Sequence, residues 1–209
     1  MAWADAYATA AEYRNRIQKS ITSDDAAIEI GLTAISRMIE RELGSASAPR
    51  VFNQGDIGEF RWFSYRRTSY ETPQFIEIDD VVTVTAVHID TDANGSWETA
   101  AAATDYVLWP YNAPVHDFPY TRLELHPSPS VSFAVDYPKP IRVTGTWGWP
   151  AVPAPIKEAT IQLAAILRIE SPRAEAMVSE LGQLVQMSAQ ARGIVDRLKA
   201  TYSRKKYAV

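Results

Sequence analysis

The chain has 209 residues, 46% of them hydrophobic and 22% charged, with a formal net charge of −4 and no cysteine. Such a length buries a substantial core as one domain, or as one domain carrying a large insertion. The lack of cysteine excludes disulfides, thiolate zinc sites and a cysteine nucleophile, and the acidic balance argues against a protein whose main task is gripping nucleic-acid phosphates.

The opening residues MAWADAYATAAEYR carry an acid and no basic, long-apolar leader, and later apolar runs are far shorter than a membrane span. A soluble protein made in a cytoplasm, with no membrane partner, is expected. Thr9 followed by Glu12 has capping-box spacing and predicts a helix over about residues 10–19. Ser23, Asp24 and Asp25 open a second helix, with Ser23 able to cap it and the acids at its positive end. Ile28, Leu32, Ile35, Ile39 and Leu43 recur at steps of four and three, drawing one apolar stripe that stops at Gly44. The face bearing Glu29, Ser36, Arg37, Glu40 and Arg41 is expected to meet solvent or a partner.

From Ser45 the helical period disappears and about a hundred residues rich in Thr, Val, Tyr, Trp and Pro follow. Strands are expected near residues 59–64, 74–78, 82–90, 106–109, 121–125 and 141–147, with an Asn-Gly hairpin turn in DTDANG. After Pro155, the residues Ile156, Ala159, Leu163, Ile166 and Leu167 mark a helical face running to about Ile169, where Ser171-Pro172 breaks it. A helix over about residues 172–181 is expected next. A last one, capped by Ser188 and carrying Ile194, Val195 and Leu198, leads into a cationic tail. The predicted class is α+β: a helical bundle core, made of the N-terminal helix pair and the C-terminal helices, with an inserted antiparallel sheet or small barrel. The expected divisions are 1–46, 47–148, 149–200 and a basic tail over 201–209.

Few residues suggest chemistry. Asp90, Asp92, Asn94 and Gly95 match the first half of an EF-hand loop, but the twelfth position is Ala101 and the flanks read as strands, so an acidic hairpin tip is the better account. His88, His116 and His126 lack the spacing of a helical zinc pair. Glu77, Asp79 and Asp80 could flank a glycosidic bond, although solvated turn acids explain them more simply. No GxSxG elbow, Walker loop or GxGxxG occurs, and neither an enzyme nor a cofactor is expected. The cluster Trp62, Phe63, Tyr65, Tyr70 and Phe75, interleaved with Arg61, Arg66 and Arg67, fits a stacking surface for single strands or sugars, a protein interface, or a sheet core with arginines outside. The acidic net charge favours a protein interface over a nucleic-acid surface.

The stretch VTGTWGWPAVPAPIKEATIQLAAIL resembles the signature of phage head-tail connector (adaptor) proteins, in which a strand with Gly-Trp-Pro-x-Val-Pro runs into a helix. Val143, Gly145, Gly148, Trp149, Pro150, Val152, Pro153, Ile156, Ala159 and Ala164 carry the likeness. The N-terminal helix pair, the DTDANGSWE hairpin followed by TDYVLWPYNAP, the PYTRLEL segment and the basic tail extend it along most of the chain. The resemblance implies a non-enzymatic virion neck protein, made in the host cytoplasm, that forms a ring of about twelve copies on the portal. The ring joins the portal to a stopper or tail component and passes DNA without binding it specifically. It implies a stiff corner at Gly145, Trp147, Gly148, Trp149, Pro150 and Pro153. A portal contact is expected at Arg197, Lys199, Tyr202, Arg204, Lys205, Lys206 and Tyr207, from a tail disordered until bound. A subunit or tail interface is expected at Arg61, Trp62, Tyr65, Arg66, Arg67, Tyr70, Asp90, Asp92, Asn94 and Trp97. A head-closure (stopper) or other neck protein is the nearest alternative, and a carbohydrate-binding β-module a more distant one.

Overall fold

The computed structural model describes residues 6–20, 24–44, 50–65, 74–133, 138–167 and 189–203. The chain divides into two compact units, one spanning Asn53–Ala151 and the other joining Ala2–Phe52 to Val152–Ala208. Among the described residues, four α-helices and six antiparallel strands make an α+β fold.

The helical unit holds α1 (Ala10–Ile17), α2 (Asp25–Leu43), α3 (Ala154–Leu167) and α4 (Ala189–Tyr202). The capping box forms at α1: the Glu12 N–H donates to Thr9 Oγ1 at 3.2 Å and the Thr9 N–H donates to Glu12 Oε2 at 2.9 Å. That backbone N–H, followed by Lys157 Nζ at 2.9 Å, holds the Glu12 carboxyl below its usual range. Thr9→Ala should therefore cost about 1 kcal/mol in urea unfolding; an unchanged midpoint would show that the cap contributes nothing. The helix closes at Gln18, which adopts the left-handed conformation (φ 57°) and sends its N–H back to the last turn. At α2 the cap position falls to Asp24, while Ser23 lies outside the described residues. Arg14 of α1 pairs with Asp25 in the first turn of α2.

The apolar stripe of α2 is buried as its spacing predicts, with Ile28, Leu32, Ile35, Ile39 and Leu43 each at most 2% exposed. The opposite side is solvated only in part: Glu29 and Arg41 are exposed, but Ser36 and Glu40 are 0% and 3% exposed. The segment before α1 and the segment after α2 cover them. The Tyr7 N–H donates to Ser36 Oγ at 3.0 Å, and the Tyr7 hydroxyl donates to Glu40 Oε1 while accepting the Phe52 N–H at 2.9 Å. Arg37 Nη1 lies 2.9 Å from the same carboxylate oxygen, and the Arg50 N–H reaches the Glu40 carbonyl at 3.0 Å. The rings follow the polar groups, Phe52 meeting Tyr7 and Tyr202 edge-on at centroid distances of 6.0 and 5.7 Å.

In α3, Ile156, Ala159 and Leu163 point inward, as the period predicts, while Ile166 and Leu167 are half-buried and Ala164 is buried beside them. The helix expected over 172–181 and the Ser188 cap lie outside the described residues. Helix α4 buries Ile194, Val195 and Leu198 and continues to Tyr202, which is 8% exposed. This order corrects the expected disorder for residues 197–202. Leu198 and Tyr202 recur on the apolar side of α4, and the Tyr202 carbonyl accepts a hydrogen bond from Arg50, so the start of the cationic segment belongs to the helical core.

The other unit is one sheet of β1 (Gln54–Phe63), β2 (Phe75–Ile89), β3 (Thr99–Ala100), β4 (Tyr106–Trp109), β5 (Tyr120–Leu125) and β6 (Ile141–Gly148). The order is β1-β6-β2-β5-β4, with β3 added on β2. The sheet is open with β1 and β4 at its edges, which decides against a closed barrel. Where two strands are expected, over 74–78 and 82–90, β2 is continuous. Asp79 and Asp80 do not break it because each has a partner: Arg61 Nη1 donates to Asp79 at 2.8 Å, and Trp149 Nε1 donates to Asp80 at 3.0 Å. Register shifts within residues 77–86 bend the strand, so that its first half pairs with β5 and its second with β6. Ile76, Val81, Val87, Leu123, Val143 and Trp147 lead the core of this unit. Asp105, 5% exposed, ties its loops together by accepting the Ser130 N–H at 2.8 Å, the Ser130 hydroxyl at 2.7 Å and the Ala102 N–H at 2.9 Å. These donors, led by the Ser130 N–H, hold its carboxyl below the usual range.

Candidate interaction surface

Strand β6 alternates strictly, with Ile141, Val143 and Trp147 inward and Arg142, Thr144 and Thr146 on the other face. Antiparallel register carries that face across three strands. Trp62 of β1 and His88 of β2 both lie opposite Arg142, and Phe60 lies opposite Thr144. A bulge in β1 adds Ile57. Three residues before Phe60, it would face the core in an unbroken strand, but Gly58 (φ 73°) resets the phase and places Ile57 opposite Thr146. Ile57, Phe60 and Trp62 are 75%, 44% and 44% exposed.

The side chains on this face pack on one another. Phe60 and Trp62 meet edge-on at 4.9 Å, and Trp97, returning from the hairpin, lies 6.1 Å from Trp62. The Arg142 guanidinium stands 5.6 Å from the Phe60 ring and 5.4 Å from that of Trp97, and Lys139 Nζ is 5.9 Å from Trp62. Two cations thus stand over three aromatic rings on one face. Trp97 Nε1 and Arg142 Nε are buried without a hydrogen-bond partner among the described residues, polar capacity that the folded chain leaves unused.

Of the expected interface residues, Trp62 and Trp97 meet here. Arg61 does not join them. As the next residue along a strand it faces the other way, with its guanidinium 4.5 Å from the Trp147 ring and its charge on Asp79. Phe63 also turns to Trp147, at 5.9 Å, and Tyr65 packs against the same core. Phe75 belongs to a separate stack, in which Arg122 stands 4.3 Å from its ring and 4.9 Å from that of Trp109. Arg66, Arg67 and Tyr70 lie outside the described residues. Ile57, Phe60, Lys139 and Arg142 were not anticipated. The alternation of β6 could have placed Arg142 outward, but its aromatic partners depend on a register that no local pattern specifies.

The hairpin is only partly an exposed acidic tip. Asp90 is 0% exposed and accepts the Asn94 N–H at 3.2 Å and the Gly95 N–H at 2.9 Å, so its carboxylate organises the turn from within. Asp92 and Asn94 are exposed, and Asn94 Nδ2 donates to Asp92 at 2.9 Å and to Glu98 at 3.0 Å. Among the described residues this is the one group of three acids or histidines close enough to share an ion, with carboxylate oxygens of Asp90, Asp92 and Glu98 within 4.8 Å of one another. Its third member is Glu98 rather than the twelfth loop position. His116 and His126 are exposed, and Glu77 lies opposite Arg122 in the sheet.

The corner after β6 is built by close approach. A side chain at Gly145 would place its Cβ 2.2 Å from the Thr83 carbonyl oxygen. Gly148, at φ +105°, would place one 2.0 Å from the Asn53 carbonyl oxygen. The tryptophans on either side are buried and hydrogen-bonded, with Trp147 Nε1 donating to the Glu59 carbonyl at 2.9 Å and the Trp149 N–H to the Asn53 carbonyl at 3.2 Å. Phe118, from the loop between β4 and β5, meets Trp149 edge-on at 5.4 Å. Pro150 follows directly, and the Pro153 carbonyl accepts the Ile156 N–H at 2.9 Å as α3 begins. Of the expected portal-contact residues, Arg197 is exposed, Lys199 pairs with Glu42 and Tyr202 is buried. Arg204, Lys205, Lys206 and Tyr207 lie outside the described residues.

No protein-family model and no curated protein matches the chain. Among solved structures, the chain is similar to a component of the neck of a native GTA particle computed with C12 symmetry. The two share 18% identity with a TM-score of 0.44, and the match covers 90% of this chain and 85% of that one.

Proposed function

We propose that this protein is a structural head-to-tail connector of a tailed phage or phage-like particle, acting through surfaces rather than catalysis. Copies close into a ring of about twelve on the portal, hold the next neck or tail component on the far side, and let DNA through without gripping it. The observation that carries the reading is the Trp-Gly-Trp-Pro corner. Three of the residues by which the sequence resembles connectors are held closely by the fold, Gly145 and Gly148 against backbone oxygens and Trp149 hydrogen-bonded to Asp80. The exposed aromatic and cationic face agrees with it, since Trp and Arg are favoured anchors of protein interfaces. In this proposal the portal contact falls to Arg197 and to Arg204, Lys205, Lys206 and Tyr207 beyond α4.

Particles assembled without this protein should yield heads that carry portal but no tail. Tails attached at the normal frequency would overturn the proposal, and tailed particles that leak DNA would move the assignment to a head-closure protein. Removing residues 203–209 should lower co-sedimentation with portal; unchanged binding would remove the tail from the portal contact.

A further inference from the structure

Among the described residues, the large apolar side chains exposed on the sheet unit fall into two groups. One is the face of edge strand β1 described above. The other is the loop between β4 and β5, where Tyr111, Val115 and Phe118 are 61%, 77% and 46% exposed. Strand β6 separates them. Arg142 near its start touches Phe60 and Trp97, and Trp149 just past its end touches Phe118. Along β6 the ring contacts at Arg142 and the Phe118 contact at Trp149 lie seven residues, roughly 20 Å, apart, and Ile57, opposite Thr146, lies between them. The strands nearest each group, β1 and β4, are also opposite edges of the sheet. Arg142 and Lys139 stand on the rings of the first group, beside the exposed hairpin acids Asp92 and Glu98, and the exposed Asp117 stands between the exposed Val115 and Phe118 in the second.

We infer that these are the two halves of one head-to-tail contact, in which the Phe60–Trp62–Trp97 face of one copy receives the Tyr111–Val115–Phe118 loop of the next. A self-contact that generates a ring joins two different patches of the same chain, whereas a two-fold contact joins one patch to itself. Two different apolar groups on one sheet, one with cations on its rings and the other with an acid in its loop, satisfy the first description. Val115 and Phe118 would pack on the exposed sides of the aromatic rings, and Asp117 would meet Arg142 and Lys139 at the rim, where complementary charge sets register and approach. The inference rests on the connector reading in taking a second copy of the chain as the occupant, and it names the surfaces that this copy uses.

The test uses the full-length protein and its self-association, so it is read independently of tail attachment. Trp62→Glu disables one half and Val115→Asp the other, both at exposed positions. In sedimentation velocity the wild type should form assemblies larger than dimers. Each variant alone should remain monomeric at the same concentration, with self-affinity reduced about thirtyfold or more. Mixed in equal amounts, the variants should form a dimer and stop there, because the mixture contains one intact pair of halves. The mixed dimer also shows that both variants are folded. If circular dichroism reveals misfolding, Trp62→Ser and Val115→Ser replace them. A wild type that stays monomeric, a variant that assembles like the wild type, or a mixture that stays monomeric would each overturn the inference.

Discussion

Gly148→Ala should destabilise the protein by about 3 kcal/mol or more in urea unfolding. Two costs combine. At φ +105° an L-residue is strained, and the added Cβ would lie 2.0 Å from the Asn53 carbonyl oxygen and 3.1 Å from the Asn53 carbonyl carbon. The obstacle is backbone, so relief means moving the chain at the start of β1, which also carries the Asn53 carbonyl that accepts the Trp149 N–H at 3.2 Å. Gly58 and Gly95 separate the two contributions. Their φ values are +73° and +85°, but a Cβ at either would meet nothing within 4 Å. Gly58→Ala and Gly95→Ala should thus show the conformational cost alone, about 1 kcal/mol each. Equal losses at all three positions would mean that the close approach at the corner contributes nothing.

How much of this could be read from the residues depended on how local the signal was. The Thr9–Glu12 cap, the α2 stripe, the Gly44 stop and the alternation of β6 are set within a few residues, and the structure repeats them. The Asp79-Asp80 pair misled because acids ordinarily end a strand, and its partners, Arg61 and Trp149, lie 18 and 69 residues away. The same reason hid the burial of Glu40, whose hydrogen-bonding partner Tyr7 lies 33 residues earlier. The candidate surface divides along the same line. An aromatic-arginine cluster could be seen around residue 62, but a strand sends neighbours to opposite faces, and the phase could not be assigned without the bulge at Gly58. Arg61 consequently went to the core side and Trp62 to the outer one, where Arg142 and Trp97 join it from 80 and 35 residues on.

Tyr7→Phe should cost roughly 2 to 4 kcal/mol, although it removes a single oxygen atom. That oxygen donates to Glu40 and accepts the Phe52 N–H, so its loss takes one buried hydrogen bond from a carboxylate that keeps Arg37 and another from a backbone N–H. The same site predicts a dependence on pH. Burial holds the Glu40 carboxyl above the usual carboxylate range, against the opposing pull of Tyr7 and Arg37. A carboxyl raised in the folded state takes up its proton there before it does so in the unfolded chain. Its ionised form therefore weighs against folding at neutral pH, and that penalty is relieved as pH falls through the folded value toward 4.5. Glu12 and Asp105 act in the opposite sense: both are lowered, and they contribute stability that is lost at more acidic pH. Glu40→Gln isolates the first effect. The stability of the wild type relative to Glu40→Gln should rise on acidification from neutral pH toward 4.5, as read by urea unfolding at a series of pH values. Since the Tyr7 hydroxyl favours the ionised form, Tyr7→Phe should shift that rise to higher pH. Parallel curves for the wild type and Glu40→Gln would show that Glu40 does not change its protonation on folding.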